Sequence, residues 1–361
     1  MRFLSRPTIN NIIIIKNLRE ISVRVSISLE NIPKKQDAKT KEIHHQSSPW
    51  QNINLFNAND FKVKVVCFDS QSQIQYTRIF NTDRYGNLNL KIPSTQNQTE
   101  ITSLQFFEVS YQDGIELLLG SFIPVVLKTP NKVIISDFDK TLVDTRYSTI
   151  QEMFTSLRNP ISYFPTINKS LEVLQLAIKS GYTPFILSAS PHFYEKPFRD
   201  WLYQNEVYTS NIFLKDYRKI FSFFESELTP KDLKTQGFYK LTELINILLM
   251  TDLADKLILI GDGFESDPLV YLVIRALIIE KIDPWKIWKT LKQMEQFKLT
   301  RPQQTKLLTS LNLLAAIASK KKISLKIYIR CFKDNFEEIK NRPTHVDFLD
   351  RQKENIFYYV A

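Results

Sequence analysis

The sequence is poor in the residues that build disulfide frameworks and zinc sites. Among 361 residues there are two cysteines, four histidines and seven glycines. Cys67 and Cys331 lie in unrelated sequence contexts, so neither a disulfide framework nor a zinc-ligand spacing follows from them. We therefore expect a reducing compartment, and the predicted location is the cytoplasm.

Long hydrophobic runs are missing as well. The first residues, MRFLSRPTINNIIIIKN, contain an apolar run of only four isoleucines, which is too short for a signal peptide core or a bilayer-spanning segment. Apolar residues make up 43% of the chain and charged residues 24%, which is ordinary for a folded soluble protein. We expect a soluble protein, and peripheral contact with a membrane is an open alternative.

Negative charge is in short supply, because 48 lysines and arginines face 38 aspartates and glutamates. A net charge of +10 favours anionic partners such as nucleic acid, an anionic membrane or a phosphorylated substrate, although it is equally compatible with simple solubility. The excess looks widely spread, with short clusters such as 320–322. A dense arginine-rich stripe is absent, so no nucleic-acid partner is expected.

Short strand patterns fill the first third of the chain. Residues 12–30 alternate between apolar and polar side chains as a half-buried strand does. Further strands are predicted at 61–68, 73–80, 87–92, 103–111 and 115–127, with a turn at 83–86 and a polar loop at 33–54. This pattern predicts an all-β sandwich domain over residues 1–130, for which a protein partner is one hypothesis.

The pattern changes after residue 130, where apolar strands begin to alternate with amphipathic helices. Strands are predicted at 133–136, 183–188, 211–214, 256–261 and 324–329, with helices between them such as 170–181 and 239–252. Such alternation predicts a parallel sheet with helices on both faces. We therefore predict an α/β Rossmann-like domain over residues 131–361, with a helical insertion at about 272–322.

Polar residues that can do chemistry follow the predicted strands. Because ligands of open parallel sheets bind beyond the carboxyl ends of the strands, these residues are expected at one edge. They are Asp137, Asp139 and Thr141 after the first strand, Ser188 after the second, Lys240 at the start of a helix, and Asp262 and Asp267 after the fourth. Neighbouring carboxylates repel unless a cation lies among them, and Mg²⁺ prefers carboxylate and phosphate oxygens. The pattern predicts a Mg²⁺ site.

Phosphoryl transfer is the chemistry that this set favours. A carboxylate beside Mg²⁺ and a lysine stays ionised and can attack phosphorus. A second carboxylate two residues later can protonate the leaving oxygen and then activate water. A hydroxyl such as that of Ser188 and an ammonium such as that of Lys240 can hold the phosphoryl oxygens.

The order of these motifs resembles the haloacid dehalogenase-like phosphohydrolases. Residues 136–141, SDFDKT, are similar to the Ser-Asp-Ile-Asp-Asp-Thr signature of the actin-patch-type phosphatidate phosphatases and their bacterial relatives. The other matching elements are LSASP at 187–191, LKD at 214–216, GD at 261–262 followed by Asp267, Pro268 and Tyr271, and IYIR at 327–330. The leading sandwich is also similar to that family's first domain, so the resemblance covers most of the chain except 272–322.

The resemblance implies Mg²⁺-dependent hydrolysis of phosphatidate through an aspartyl-phosphate. It implies that Asp137 is the nucleophile and a metal ligand, and that Asp139 is the general acid and base with its backbone carbonyl on the metal. It also implies that Ser188 and Lys240, with Thr141, bind phosphate. Asp262, supported by Asp267, would complete the metal site.

Three positions depart from the family pattern and leave the substrate open. Lys140 replaces an acidic residue, Lys215 replaces an arginine, and Tyr239 stands where histidine is usual. Lysine lacks the bidentate fork of arginine, so any phosphate or carboxylate contact at Lys215 is less directional. The alternatives are a phosphatase acting on a phosphoprotein or a nucleic-acid end, and a non-catalytic adaptor.

Single residues also have plain structural explanations. Asp137 or Asp139 can cap a helix or close a turn, and Asp267 can cap the helix that begins at Pro268. Lysines at helix starts, such as Lys240, are commonly solvated.

Residues 283–298 combine two tryptophans with several lysines, which suits the surface of an anionic membrane. The favoured interpretation is that Trp285, Ile287, Trp288 and Leu291 pack against the sheet.

Overall fold

The computed structural model describes residues 5–31, 59–93, 100–145, 161–209, 211–216, 236–294, 297 and 300–360. The chain divides into two compact units. The first holds the described residues up to Leu127, and the second holds most of those from Lys128 onward. The polar loop predicted at 33–54 lies outside the described residues.

The first unit is built from strands alone among its described elements. They are β1 (Ser5–Lys16), β2 (Glu20–Asn31), β3 (Lys62–Phe68), β4 (Ile74–Asn81), β5 (Asn87–Pro93), β6 (Ser103–Glu108), β7 (Leu117–Phe122) and β8 (Val125–Val126). Two four-stranded sheets result, in the orders β5-β2-β1-β8 and β4-β3-β6-β7. Their pairs are antiparallel except β1 with β8.

Alternating side chains explain the core of this unit. On β3, the buried side chains include Val63, Val65 and Cys67, whereas Lys62, the first residue of the strand, is exposed. Successive strand residues point to opposite faces, so a period of two places one apolar face inward. Buried side chains from both sheets, including Val25 of β2 and Phe106 of β6, form one hydrophobic cluster.

The prediction of a single strand over 12–30 is wrong, because these residues form most of the hairpin of β1 and β2. The turn is closed by Asn17, whose side-chain Oδ1 accepts hydrogen bonds from the amides of Arg19 at 2.8 Å and Glu20 at 2.9 Å. An asparagine side chain commonly closes a turn in this way. The turn contains neither glycine nor proline, so the apolar pattern gave no sign of a break.

The turn predicted at 83–86 is present. The side chain of Asp83 accepts a hydrogen bond from the amide of Tyr85 at 2.9 Å. Gly86 has a φ of 73°, and a Cβ there would lie 2.0 Å from the carbonyl oxygen of Ile27. Only glycine fits this left-handed position beside β2.

The second unit contains a six-stranded parallel sheet. Its strands are β9 (Lys132–Ser136), β10 (Thr183–Pro191), β11 (Ile212–Lys215), β12 (Lys256–Asp262), β13 (Ser324–Cys331) and β14 (Ile356–Val360). The order is β11-β10-β9-β12-β13-β14, and every neighbouring pair is parallel. The first five were predicted from the sequence, whereas the edge strand β14 was not.

Helices connect these strands. They are α1 (Asn168–Lys179), α2 (Glu195–Gln204), α3 (Gln236–Met250), α4 (Asp267–Ile278), α5 (Pro284–Gln293), α6 (Arg301–Ala318), α7 (Phe336–Asn341) and α8 (Asp347–Asp350), with short 3₁₀ helices at Ile161–Tyr163, His192–Tyr194, Lys333–Asn335 and Lys353–Asn355. The segment 272–322 holds most of α4 together with α5 and α6. Within the described ranges, no helix is both long and apolar enough to cross a membrane.

The order in which the chain adds strands to the sheet reverses between the two central strands, β9 and β12. From β9 the chain builds outward through β10 and β11, and from β12 it builds outward through β13 and β14 on the other side. In open α/β sheets, the crevice beyond the carboxyl ends at this switch point is the usual ligand site. β9 ends just before Asp137 and β12 ends at Asp262, so both acidic residues lie at this crevice.

Candidate active site

Three aspartates meet at the switch point. Asp137, Asp262 and Asp267 are buried, and each offers a carboxylate oxygen that lies within 4.8 Å of the other two. The amide of Asp137 donates to the carbonyl oxygen of Ile260 at 2.9 Å, which ties the residue after β9 to β12. The structure therefore brings together three of the four residues predicted as metal ligands.

The turn between β12 and α4 shapes this cluster. Asp262 Oδ1 accepts hydrogen bonds from the amides of Phe264 at 2.6 Å and Glu265 at 2.8 Å. Asp267 Oδ2 accepts from the amide of Asp262 at 3.3 Å. A Cβ on Gly261 would lie 2.5 Å from Asp267 Oδ2, so the close approach of Asp267 requires a glycine there.

Lys240 on α3 is the buried cation beside the aspartates. Its Nζ lies 2.6 Å from Asp267 Oδ1, 3.3 Å from Asp137 Oδ2 and 3.6 Å from Glu265 Oε2. Glu265 also pairs with Lys140 at 3.1 Å, which links the residue after Asp139 to the same charge network. The sequence contained Glu265 within GDGFESD but gave no indication of this bridging position.

Burial and mutual repulsion disfavour the ionised form of these carboxylates. Burial raises the pKa of Asp137 well above its usual value; Lys240 lowers it, and Asp267 and Asp262 raise it further. Burial and the charge of Asp267 raise the pKa of Asp262 to about 7. Burial alone would lower the pKa of Lys240, but Asp137 and its neighbours hold it well above the usual value. One buried ammonium therefore does not balance the cluster.

Two oxygens of the cluster mark a place for a cation. Asp137 Oδ1 and Asp262 Oδ2 are buried, and neither has a hydrogen-bond partner within the described part of the chain. Buried polar atoms are rarely left without a partner in native proteins. A divalent cation with a preference for oxygen ligands would satisfy both atoms. The three aspartates therefore fit a metal site.

Asp139 is held by hydroxyl groups. Its Oδ2 accepts hydrogen bonds from Ser188 Oγ at 2.8 Å and Ser190 Oγ at 2.6 Å, and its Oδ1 accepts from Thr145 Oγ1 at 3.2 Å. The side chain of Asp139 is not one of the three that gather into the carboxylate cluster. Ser190 and Thr145 were not among the predicted site residues.

The other predicted phosphate-binding residues also face this site. Ser188, on β10, is buried, and its hydroxyl is engaged with Asp139. Thr141 is buried as well, and its Oγ1 donates to Asp137 Oδ2 at 3.3 Å. Lys240 completes the predicted set, so nucleophile, acid and phosphate-binding candidates share one crevice.

Residues 132–283 match the family described as phosphatidate phosphatase APP1, catalytic domain. The matched segment begins with β9 and ends just before α5, so it includes every residue described above at the crevice. This segment belongs to that phosphatidate phosphatase family. The similarity covers 152 of the 361 residues and is to the catalytic domain of a phosphoric monoester hydrolase.

The other comparisons add nothing to this family match. No curated protein matches the chain. Similar solved structures include a Ruminococcus gnavus β-glucuronidase (8% identity, TM-score 0.22, covering 99% of this chain and 54% of that chain). They also include the Bifidobacterium dentium enzyme complexed with coumarin-3-O-glucuronide (6%, 0.25, 91% and 45%) and Faecalibacterium prausnitzii β-glucuronidase (8%, 0.23, 91% and 43%). The chain spans about half the length of these proteins, and TM-scores this low carry no argument about its fold.

A buried arginine, Arg330, holds the loop that follows β9 and carries Asp137 and Asp139. Arg330, near the end of β13, donates from Nη1 to the carbonyl oxygen of Lys140 at 2.6 Å and lies 3.3 Å from Asp144 Oδ1. These two contacts hold Lys140 and Asp144, which lie in the loop just after Asp139. The sequence had placed Arg330 only within the final matching strand motif, so its role in holding this loop is new.

The stability of the protein without a bound cation should fall as the pH rises. The folded pKa of Asp262 is raised from 3.8 to about 7, so the native state binds a proton that the unfolded chain releases at lower pH. This contribution is complete below 3.8 and is lost as the pH rises through about 7. We expect the melting temperature in a chelating agent to drop between about pH 5 and about pH 8.

Added Mg²⁺ should reduce this pH dependence, because a cation held by the ionised carboxylates would stabilise the native state by mass action. Thermal melting with and without the cation at several pH values is the measurement. A cation effect that is larger at low pH than at high pH would contradict the proposed ligands.

Proposed function

We propose that this protein hydrolyses phosphatidate to diacylglycerol and phosphate in a Mg²⁺-dependent reaction through an aspartyl-phosphate on Asp137. The observation that carries the proposal is the buried cluster of Asp137, Asp262 and Asp267 beside Lys240, in which two carboxylate oxygens lack partners among the described residues. Such a cluster costs stability in the free protein, and it becomes favourable around a cation and an anionic phosphoryl group.

The metal would be held by Asp137, Asp262 and Asp267, with the backbone carbonyl of Asp139 as a further ligand. When bound, Mg²⁺ neutralises the carboxylates and the phosphoryl oxygens, so that two anionic groups can approach each other. The oxygen-only donor set supports Mg²⁺ over metals that prefer nitrogen or sulfur ligands.

Asp137 would perform the first displacement. Its carboxylate oxygen forms a bond to phosphorus while the bond between phosphorus and the diacylglycerol oxygen breaks. Lys240, 3.3 Å from Asp137 Oδ2, and Thr141, which donates to the same oxygen, orient the carboxylate. Both groups can also donate to the phosphoryl oxygens, where positioning and charge stabilisation supply most of the catalysis.

Asp139 would move the protons. In its protonated form it gives a proton to the departing diacylglycerol oxygen, and it then takes one from the water that attacks phosphorus. The second displacement breaks the bond between the Asp137 oxygen and phosphorus and restores the free carboxylate. The hydroxyls of Ser188 and Ser190, which donate to one oxygen of Asp139, hold the side chain in place for both transfers.

The proposed architecture is a haloacid dehalogenase-like domain over 131–361 preceded by a β-sandwich over 1–130. The parallel order β11-β10-β9-β12-β13-β14 supports the first assignment. The β-sandwich assignment is supported by the hydrophobic cluster that side chains from both mainly antiparallel sheets form. The sandwich is a candidate binding site for a protein partner, and the protein as a whole is proposed to act at the cytoplasmic surface of membranes.

Phosphate release from a panel of substrates tests the proposal. We expect release from vesicles that contain phosphatidate, loss of release in a chelating agent, and recovery on addition of Mg²⁺. A phosphopeptide and a 5′-phosphorylated oligonucleotide serve as the competing substrate classes. Faster turnover of either one, with no release from phosphatidate vesicles, would contradict the lipid assignment while leaving a phosphatase of another specificity.

A further inference from the structure

The net positive charge of this chain is concentrated in one segment. Residues 281–326 contain 11 lysines and arginines and 2 acidic residues, whereas the whole chain contains 48 and 38. The segment therefore carries +9 of the net charge of +10. The expectation that the excess is widely spread is wrong. The remainder of the protein carries a net charge of only +1, so this segment is the main source of net positive charge for an anionic partner.

Helix α5, inside this segment, has a buried side and a basic side. Ile287 and Leu291 are 0% and 1% exposed and face the interior. Trp285, Lys289 and Lys292, spaced i, i+4 and i+7, share the opposite face, and all three are exposed. Trp285 is 55% exposed, so the expectation that it packs against the sheet is wrong. Ile287 and Leu291 are buried as expected, but α5 packs mainly against the helices α6 and α4 instead of the sheet.

The exposed face of α5 carries two lysines without a carboxylate partner among the described residues, together with an exposed tryptophan ring. No carboxylate in the described ranges forms an ion pair with Lys289 or Lys292. Lys292 Nζ lies 5.2 Å from the ring centroid of Trp288, and the rings of Trp285 and Trp288 lie 4.8 Å apart. Within the described part of the chain, the face therefore has two ammonium groups without a carboxylate partner and an exposed indole, that of Trp285.

The end of α5 leads back toward the catalytic crevice. Phe297, four residues beyond α5, is buried, and a Cβ on Gly237 would lie 3.4 Å from its ring and 3.4 Å from Ser266 Cβ. Gly237 precedes Lys240 by one helical turn, and Ser266 directly precedes Asp267. Phe297, just beyond α5, therefore packs close to the elements that carry Lys240 and Asp267.

We propose that the exposed face of α5 docks on an anionic phospholipid surface. Tryptophan prefers the interfacial region between headgroups and acyl chains, and lysines around it attract anionic headgroups. A nucleic acid would be served by the same charge, but an indole exposed on the same face as the lysines favours a lipid surface. The inference rests on the proposed function for its biological purpose, because phosphatidate is held in such a surface. Docking itself needs no catalysis.

Vesicle sedimentation with the full chain tests this docking. The vesicles are phosphatidylcholine alone and a phosphatidylcholine–phosphatidylserine mixture, so that no substrate for the catalytic crevice is present. We expect binding to the mixture, weak binding to phosphatidylcholine, and release by salt. The double variant Lys289→Glu/Lys292→Glu should bind the mixture at least about tenfold more weakly, since each lysine contributes about a fivefold factor near an anionic surface.

Matched variants separate docking from unspecific charge and from catalysis. Lys128→Glu/Lys179→Glu makes the same charge change at exposed positions outside residues 281–326 and should bind almost as well as the unaltered chain. Trp285→Ser should weaken binding even at low salt, where the lysines still act. Turnover of a soluble phosphomonoester should be unchanged in all of these variants.

Equal binding by the α5 charge-reversal variant and the unaltered chain, or equal binding to both kinds of vesicle, would overturn the proposal. So would failure to bind the mixture, or tighter binding to a duplex oligonucleotide that the same variant abolishes. Asp137→Asn should dock normally. If docking holds but no phosphatidate is hydrolysed, the proposed function fails and the docking surface stands.

Discussion

Replacing Asp137 by asparagine is expected to abolish phosphate release, with a loss of roughly 10⁴-fold or more, as for other nucleophile deletions. An amide nitrogen and a neutral amide oxygen cannot accept phosphorus as a carboxylate does. The fold should survive, because burial raises the pKa of Asp137 and the charges of Asp267 and Asp262 raise it further, although Lys240 lowers it, so a neutral residue of the same shape relieves both costs. Phosphate release and thermal melting, measured on the same preparation, check both parts.

A matched control separates this effect from general damage. Glu172→Gln neutralises an exposed acidic residue on α1 and should leave both turnover and melting unchanged. Substantial phosphate release by Asp137→Asn would mean that another residue is the nucleophile. A folded but inactive variant with an unchanged or higher melting temperature is the result that the charge arrangement requires.

Replacing Lys240 by methionine is expected to damage both catalysis and stability. Its ammonium contacts Asp137, Asp267 and Glu265 within 3.6 Å, so its removal leaves several buried carboxylates without compensation. Breaking a buried ion pair from one side costs about 3 to 5 kcal/mol of unfolding free energy. Turnover should fall by roughly 10³-fold, because phosphoryl oxygens lose a charged donor in a site with little water.

The pH dependence identifies the cause of the Lys240→Met effect. Without the ammonium, the carboxylates protonate more readily, so the variant should regain stability at about pH 5 and lose most at about pH 8. Lys140→Met removes only a partly exposed contact with Glu265 and should be far milder. A Lys240→Met protein that is equally destabilised at both pH values would indicate a packing defect instead of lost charge compensation.

The meeting of the aspartates was predictable because strand direction determines where strand ends lie. The apolar runs ending at Asp137 and Asp262 read as parallel strands, and β9 and β12 are neighbours in the structure. Asp267 followed from its position in the turn after β12. Lys240 was located only as the start of a helix, and its burial beside three carboxylates could not be read from its sequence context.

Contacts between distant elements could not be predicted. Glu265 joins Lys140 and Lys240, and Arg330 reaches the loop after β9 across 190 positions of sequence, so no local spacing signals either pairing. Ser190 lies within the predicted motif, but its hydrogen bond to Asp139 depends on the register of β10 against β9. The edge strand β14 was missed because it is five residues long and only partly buried.

Chemical trapping of the phosphorylated enzyme tests the central claim most directly. The full chain is mixed with phosphatidate vesicles and Mg²⁺ and quenched in acid, and acyl phosphates are then reduced with borohydride, which converts a phosphorylated aspartate to homoserine. Peptide mass spectrometry should find this conversion at Asp137 and at no other aspartate of the crevice. Conversion at Asp139 or Asp262, a phosphoryl group on Ser188, or turnover with no covalent species would contradict the account.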